Sequence, residues 1–276
     1  MKPSSRGPWW AWVTLWLMGL FFALPMIAMA RFAFQRIPVA LLGRSTLFKH
    51  WTLRGLTDMF GEPEFRSSLA VSLKLAVATV VVTLVLMVPT ALWVHLVAPR
   101  LHNIVEIGTM LPFVVPPIAL VVGVGGAFRN AAPWFLQSDY CLVPLYAILA
   151  MPFTYRALDV GLRAIDLRVL VDASRSLGAS TPRAIIESVI PNLRSALLAT
   201  IFLTVTVVLG EFTIAALLLK PTLPLYMAQS QGRNPQGALG LGIIMLILTT
   251  IAFFVSSRLQ RTRKKNRDQE MLGSIW

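Results

Sequence analysis

The residues best placed to do chemistry lie in one stretch. Asp172-Ala173-Ser174 is followed by Gly178-Ala179-Ser180 and then by Ile190-Pro191, all between two long apolar runs. An acid, small residues, a glycine and a proline at these spacings make neither a nucleophile–base pair nor a metal-ligand set. They suit contact chemistry: a short helix, a sharp turn, and one carboxylate to offer. A second candidate stands apart, Glu211 inside the apolar run "VVLGEFTIAALLL". A carboxylate at membrane depth is costly and is a functional hypothesis by default. It could meet a cationic solute, pair with Lys74 in an earlier run, or cap a helix break near Gly210.

The elements that position these residues are membrane spans. Of 276 residues, 56% are hydrophobic and only 13% charged, with a mean hydropathy of +0.71. That balance excludes a soluble domain. A span needs ~20 apolar residues, which leaves room for little besides spans. Six are expected, at about 9–30, 67–97, 104–128, 140–158, 195–219 and 237–257. The chain reads as one all-α transmembrane domain over 1–276. The formal net charge of +13 is explained by the positive-inside rule rather than by nucleic acid. Basic residues then favour both termini in the cytoplasm and place 159–194 there as the longest inner loop. The tail "RLQRTRKKNRDQE" reads as a stop-transfer anchor that favours anionic lipid.

Within that loop, Ile165, Val169, Ala173 and Leu177 recur every four residues, with Leu170 beside them. They form an apolar stripe on a helix, with Arg163, Arg168, Asp172 and Arg175 largely off it. Gly178 supplies the left-handed turn that ends a helix. Thr181 as N-cap and Pro182 at the first helical position start another. Ile185, Ile186, Val189 and Ile190 are its apolar residues, and Pro191 breaks it. Periodicity leaves two readings open: an interfacial hairpin without a partner, or a docking element for a groove on a soluble partner.

The stretch resembles the cytoplasmic EAA loop of binding-protein-dependent ABC importer permeases. The resemblance rests on Asp172, Ala173, Ser174, Gly178, Ala179 and the Ile190-Pro191 pair. Asp stands for the usual Glu, Ser for the second Ala, and Ile for the usual Leu. The resemblance implies a pore made by two permeases, the second a different chain. Two copies of a cytoplasmic ATPase bind below, and an extracytoplasmic binding protein delivers the solute. ATP and Mg would sit on the ATPase, because this chain has no G-x-x-x-x-G-K-[ST] loop. The chain itself would hold no cofactor, hydrolyse nothing, and lie in a bacterial inner membrane among its lipids. "VVLGEFTIAALLL" and "PTLPLYMAQSQG" are similar to the subgroup importing polyamines, ferric iron and phosphonates. A polyamine such as spermidine or putrescine is the first choice.

Other features read as structural. Pro112, Pro116 and Pro117 should kink or break the third span. Trp9, Trp10, Trp12 and Trp16 suggest an interfacial belt. His50, His95 and His102 are separated in sequence, which argues against a metal site, and Cys141 is the single cysteine. An intramembrane enzyme would need a motif such as H-E-x-x-H or G-x-S-x-G, and neither occurs. An ion-driven secondary transporter would usually show two related halves, and none is evident.

Overall fold

Prolines punctuate this chain, and many helix starts fall on one. A proline in the first turn is pre-set in φ and lacks only an N–H that the helix would not use. The computed structural model describes residues 9–35 and 51–273, with side chains as far as Phe254. His50 and the side chains of the basic tail lie outside the described residues. The helices, in chain order, are α1 (Trp9–Phe34), α2 (Arg54–Gly61), α3 (Pro63–Leu96), α4 (His102–Val114), α5 (Pro117–Ala131) and α6 (Pro133–Gln137). There follow α7 (Leu142–Arg163), α8 (Leu167–Ser176), α9 (Thr181–Ala184), α10 (Ile190–Gly210), α11 (Thr213–Leu217), α12 (Leu223–Ser230) and α13 (Pro235–Gly273).

Among the described residues, five helical stretches are long and apolar enough to cross a membrane. A sixth span exists if the bent pair Pro99–Val114 and Pro117–Ala131 counts as one. That pair bends by 90°, at the point where Val115 and Pro116 leave helical geometry. The proline cluster predicted this break. The fifth span differs from its predicted 195–219. Helix runs without interruption through Thr181–Gly210, so the span's helix begins inside the loop and ends before Glu211. Pro191 does not break it. A π-turn at Ile185–Val189 lets the Ile190 N–H reach the Ile185 carbonyl, which shifts the ladder by one residue just ahead of the proline.

The described residues fall into two compact units: those up to Phe65 with Met227–Ile247, and Arg66–Tyr226 with those from Leu248 onward. In the first unit, α1 buries only Ala33, and its tryptophans are all well exposed. The start of α13 packs on α2. Asn234 Nδ2 donates to the Gly55 carbonyl at 2.8 Å, and its Oδ1 accepts from the Gly237 N–H at 2.9 Å. A Cβ on Gly237 would collide with the Gly55 carbonyl and the Met59 sulfur, so glycine is required by the close approach.

In the second unit, α7 and α10 lie side by side. At 1.5 Å per residue each is roughly 30 Å long, about the thickness of a bilayer's hydrocarbon core. A Cβ on Gly161 would strike Ala196, so the two backbones meet at their closest there. Three buried threonines of this pair bond back into their own helices. Thr154 donates to Ala150, Thr200 to Ala196 and Thr204 to Thr200, which leaves no hydroxyl of theirs unpaired in an apolar interior. Apolar packing concentrates in two clusters. One joins Met87, Ala91 and Leu92 of α3 to Tyr155, Leu158 and Leu162 of α7, Leu167 and Val171 of α8, and Val189, Leu193 and Ala196. The other joins Leu75 and Ala76 to Cys141, Leu142, Tyr146, Val208, Ile214 and Ala215.

Candidate functional site

Helix α8 carries the predicted site residues, and its two faces have opposite fates. Leu167 and Val171 are buried in the first apolar cluster, and Ser174 is half-buried one turn further on. Three residues of the predicted stripe face the other way, while its first member, Ile165, precedes the helix and packs half-buried against that cluster. Val169 is 59% exposed and Leu177 90% exposed, and Ala173 between them is exposed as well. The stripe is thus real but is not the packing face. The packing face is 167–171–174, which the sequence hid because apolar residues occupy both sides of this helix.

Gly178 ends α8 as predicted, with φ +89°. The Gly178 N–H donates to the Arg175 carbonyl at 2.9 Å and the Ala179 N–H to the Ser174 carbonyl at 3.1 Å. This pair of bonds is the Schellman arrangement, which only a left-handed residue permits. Left-handed geometry places a Cβ against the neighbouring carbonyl, and glycine avoids that clash. The next helix is capped one residue earlier than expected. Ser180 is its N-cap, without a side-chain bond, and Thr181 and Pro182 are already helical.

Ser174 holds the hairpin together. Its hydroxyl lies 2.8 Å from the Ser188 hydroxyl across the turn and donates to the Leu170 carbonyl at 2.8 Å. Asp172 is exposed. Its carboxylate has no ion pair or hydrogen bond among the described residues, and the guanidinium groups of Arg168 and Arg175 have none either. Pro191 is exposed in the first turn of α10. The site therefore offers an apolar ridge, one free carboxylate and free cations on the outside, and a packed face toward the spans on the inside.

Next to α8 lies a cluster that sequence reasoning missed. His95 Nε2 and His102 Nε2 sit 3.1 and 2.7 Å from the same oxygen, Asp159 Oδ1. Arg163 Nε donates to both oxygens of that carboxylate, at 3.1 and 3.0 Å. The expectation that these histidines stand apart is corrected: His95 and His102 stack edge to face with ring centroids 5.9 Å apart. One carboxylate thereby joins the ends of α3, α4 and α7, eight residues before α8 begins. The available signal was an acid and an arginine at i and i+4 in the last turns of a span. Among the described residues no group of three His, Cys, Asp or Glu is arranged to hold a metal ion.

Glu211 lies away from this loop, just past the end of α10. It forms no ion pair with Lys74, which is exposed on α3. Its Oε1 accepts from the Ile214 N–H at 2.9 Å and its Oε2 from the Ala215 N–H at 3.3 Å. The carboxylate thus caps the short helix α11 across the break that follows Gly210, the third of the alternatives raised above. Glu211 is half-buried, whereas the nearby charge of Lys220 is buried; it donates to the Gln137 carbonyl at 2.8 Å and lies 3.9 Å from Asp139.

Residues 101–265 match the family described as the binding-protein-dependent transport system inner membrane component. The match covers more than half of the chain and contains the whole α7–α10 hairpin. No curated protein matches the chain.

Proposed function

We infer that this chain, which belongs to the family of binding-protein-dependent transport system inner membrane components, couples an ATPase to its spans through α8 and the turn at Gly178. Membership establishes the coarser role. The chain is a multi-pass inner membrane permease of an ABC transport system, non-catalytic itself, whose family partners are an ATPase and a binding protein.

The observation that carries the coupling role is the two-sidedness of α8. Val169, Ala173 and Leu177 form an exposed ridge beside the free carboxylate of Asp172. An amphipathic helix of this kind fits a groove on a partner. The opposite face, Leu167 and Val171, is packed with α3, α7 and the start of α10. Close-packed interiors transmit displacement rather than absorb it. A push on the ridge therefore moves three spans together. Asp172 and the apolar ridge make the contact, Gly178 and Ala179 set the bend, Ser174 locks it, and Pro191 begins the helix that carries motion inward. On this reading the loop and both termini lie in the cytoplasm.

A second permease, a different chain, completes the pore. The solute is a small polyamine such as spermidine or putrescine. That choice is supported by the similarity of 207–219 and 221–232 to the polyamine, iron and phosphonate subgroup. Glu211 lends it little, because both carboxylate oxygens are already used.

Purification from detergent tests the coupling role. The wild type should bring down an ATPase, and an Asp172→Arg, Gly178→Pro double variant should not. An ATPase recovered equally with both would remove α8 from the contact.

A further inference from the structure

A cavity of the second unit lies along α7 and α10. It has a volume of about 440 Å³ and opens to the surface. Phe153 and Val160 of α7 and Leu203 of α10 give it apolar walls, while Gly161 and Ala196, where the two helices touch, form part of its floor. It extends from Phe153 to Ala164 along α7. At 1.5 Å per residue that is roughly 17 Å, close to the hydrocarbon depth of one leaflet, half of ~30 Å.

One charge stands in this apolar groove. Arg156 lines it and is exposed. It has no ion pair or hydrogen bond among the described residues. It sits inside the stretch Asp139–Arg163, which is apolar enough to span. Seven residues separate it from Arg163, so it lies roughly 10 Å above the end of the helix. An arginine at that depth needs an anion, and its stem lets the guanidinium reach toward the interface to find one. Its neighbours do not provide an anion: Asp159 is already held by Arg163 and two histidines. Arg194, next in sequence to the lining residue Ser195, is exposed as well.

We propose that the α7–α10 groove is a binding site for an anionic phospholipid of the cytoplasmic leaflet, its phosphate on Arg156 and an acyl chain against Phe153, Val160 and Leu203. The leaflet assignment rests on the cytoplasmic placement of α8 given above. Apolar walls one leaflet deep and a lone cation match the two halves of such a lipid. Basic pockets between spans on the cytoplasmic side recognise headgroups in this way. A bound lipid would brace α7 against α10 just beside the hairpin they flank.

Native mass spectrometry of the assembled complex tests the proposal. Phosphatidylglycerol, phosphatidylcholine and inorganic phosphate are added in separate arms. The wild type should retain one phosphatidylglycerol per copy of this chain in preference to phosphatidylcholine. Arg156→Ala should reduce that retention at least fivefold, and Arg156→Lys should restore part of it. Ala199→Phe, which fills the groove but keeps the guanidinium, should reduce it as well. Equal retention by wild type and Arg156→Ala overturns the site. So does binding of inorganic phosphate with no preference between the lipids, which would make this an aqueous anion site. Loss of the second permease from Arg156→Ala with lipid retention unchanged also overturns it, by giving the groove to a protein interface. ATPase recovery is scored on the same preparations. Failure of the coupling role, with no ATPase on any form, is thereby distinct from failure of the lipid site.

Discussion

The two ends of the α7–α10 pair treat their polar groups in opposite ways. At the end where α8 attaches, Asp172, Arg168 and Arg175 are exposed and have no partners among the described residues, and the apolar ridge of Val169, Ala173 and Leu177 is uncovered. At the other end, Glu211 is used by two backbone N–H groups and Lys220 by a carbonyl and a carboxylate. These three charged groups of the first end are available to another molecule, although Asp159 beside them is fully used by His95, His102 and Arg163, whereas Glu211 and Lys220 at the second hold this chain's own backbone together. On the coupling reading, apolar and ionic groups left exposed together at this end are kept for a partner, as exposed apolar patches commonly are. Buried charges bonded to their own backbone are structure until shown otherwise.

The largest test of that contrast is Gly178. Proline there cannot adopt φ +89° and has no N–H to give to the Arg175 carbonyl. The turn must rebuild, and the ridge of α8 leaves its position. Solute uptake by the reconstituted complex should fall by at least tenfold, while the spans remain inserted. Gly178→Ala keeps the N–H and meets only the left-handed penalty of ~1–2 kcal/mol, so its uptake should fall less. Normal uptake by Gly178→Pro would mean that the shape of this end does not matter, and the contrast would collapse.

Asp159 comes next. It gathers His95, His102 and Arg163 where α3, α4 and α7 meet beside α8. Asp159→Asn removes the charge and leaves one carbonyl oxygen for three donors. Hydrogen bonds to a charged group contribute ~1.5–3 kcal/mol each in protected sites, and the partly open position of Arg163 reduces its share. Thermal unfolding in detergent should show a net loss on the order of 2 kcal/mol. ATPase stimulation should weaken while ATPase binding persists, since the ridge is untouched. Loss of ATPase binding instead would show that the cluster shapes the contact and does not merely relay its motion.

These residues also show what a sequence can reveal about such a chain. Gly178 was legible because its backbone conformation leaves few residue choices. The broken third span was legible for the same reason, through its prolines. The packing face of α8 was not, because Ile165, Val169, Ala173 and Leu177 make as good a stripe as Leu167, Leu170 and Val171. Hydropathy cannot tell an apolar face kept for a partner from one kept for the core. The meeting of His102 with Asp159 spans 57 residues, and no local pattern reports it. Pro191 misled in a different way, because a π-turn absorbs a proline that a regular α-helix could not.

Ser174→Ala sharpens the picture at the hairpin. It deletes the contact with Ser188 but leaves the Schellman bonds, which are made by backbone. A neutral hydrogen bond contributes ~1 kcal/mol. The variant should lose about that much stability, with uptake lowered no more than threefold. A tenfold loss would give Ser174 a part in the contact itself.

Glu211 carries the smallest expected effect and the sharpest test of the second end. Glu211→Gln keeps one acceptor oxygen for the Ile214 N–H and loses the charge. Glu211→Ala loses both acceptors. If the carboxylate is only a cap, the alanine variant should cost ~1 kcal/mol of stability and the glutamine variant less, with uptake of a cationic solute within about twofold of wild type for both. The order of the two variants carries the argument, because a structural cap is graded by the acceptors left and a cation site by the charge left. Glutamine and alanine variants that are equally stable and equally unable to take up a polyamine would show that the charge meets the solute. The two ends would then differ in which partner they meet, and no longer in whether they meet one.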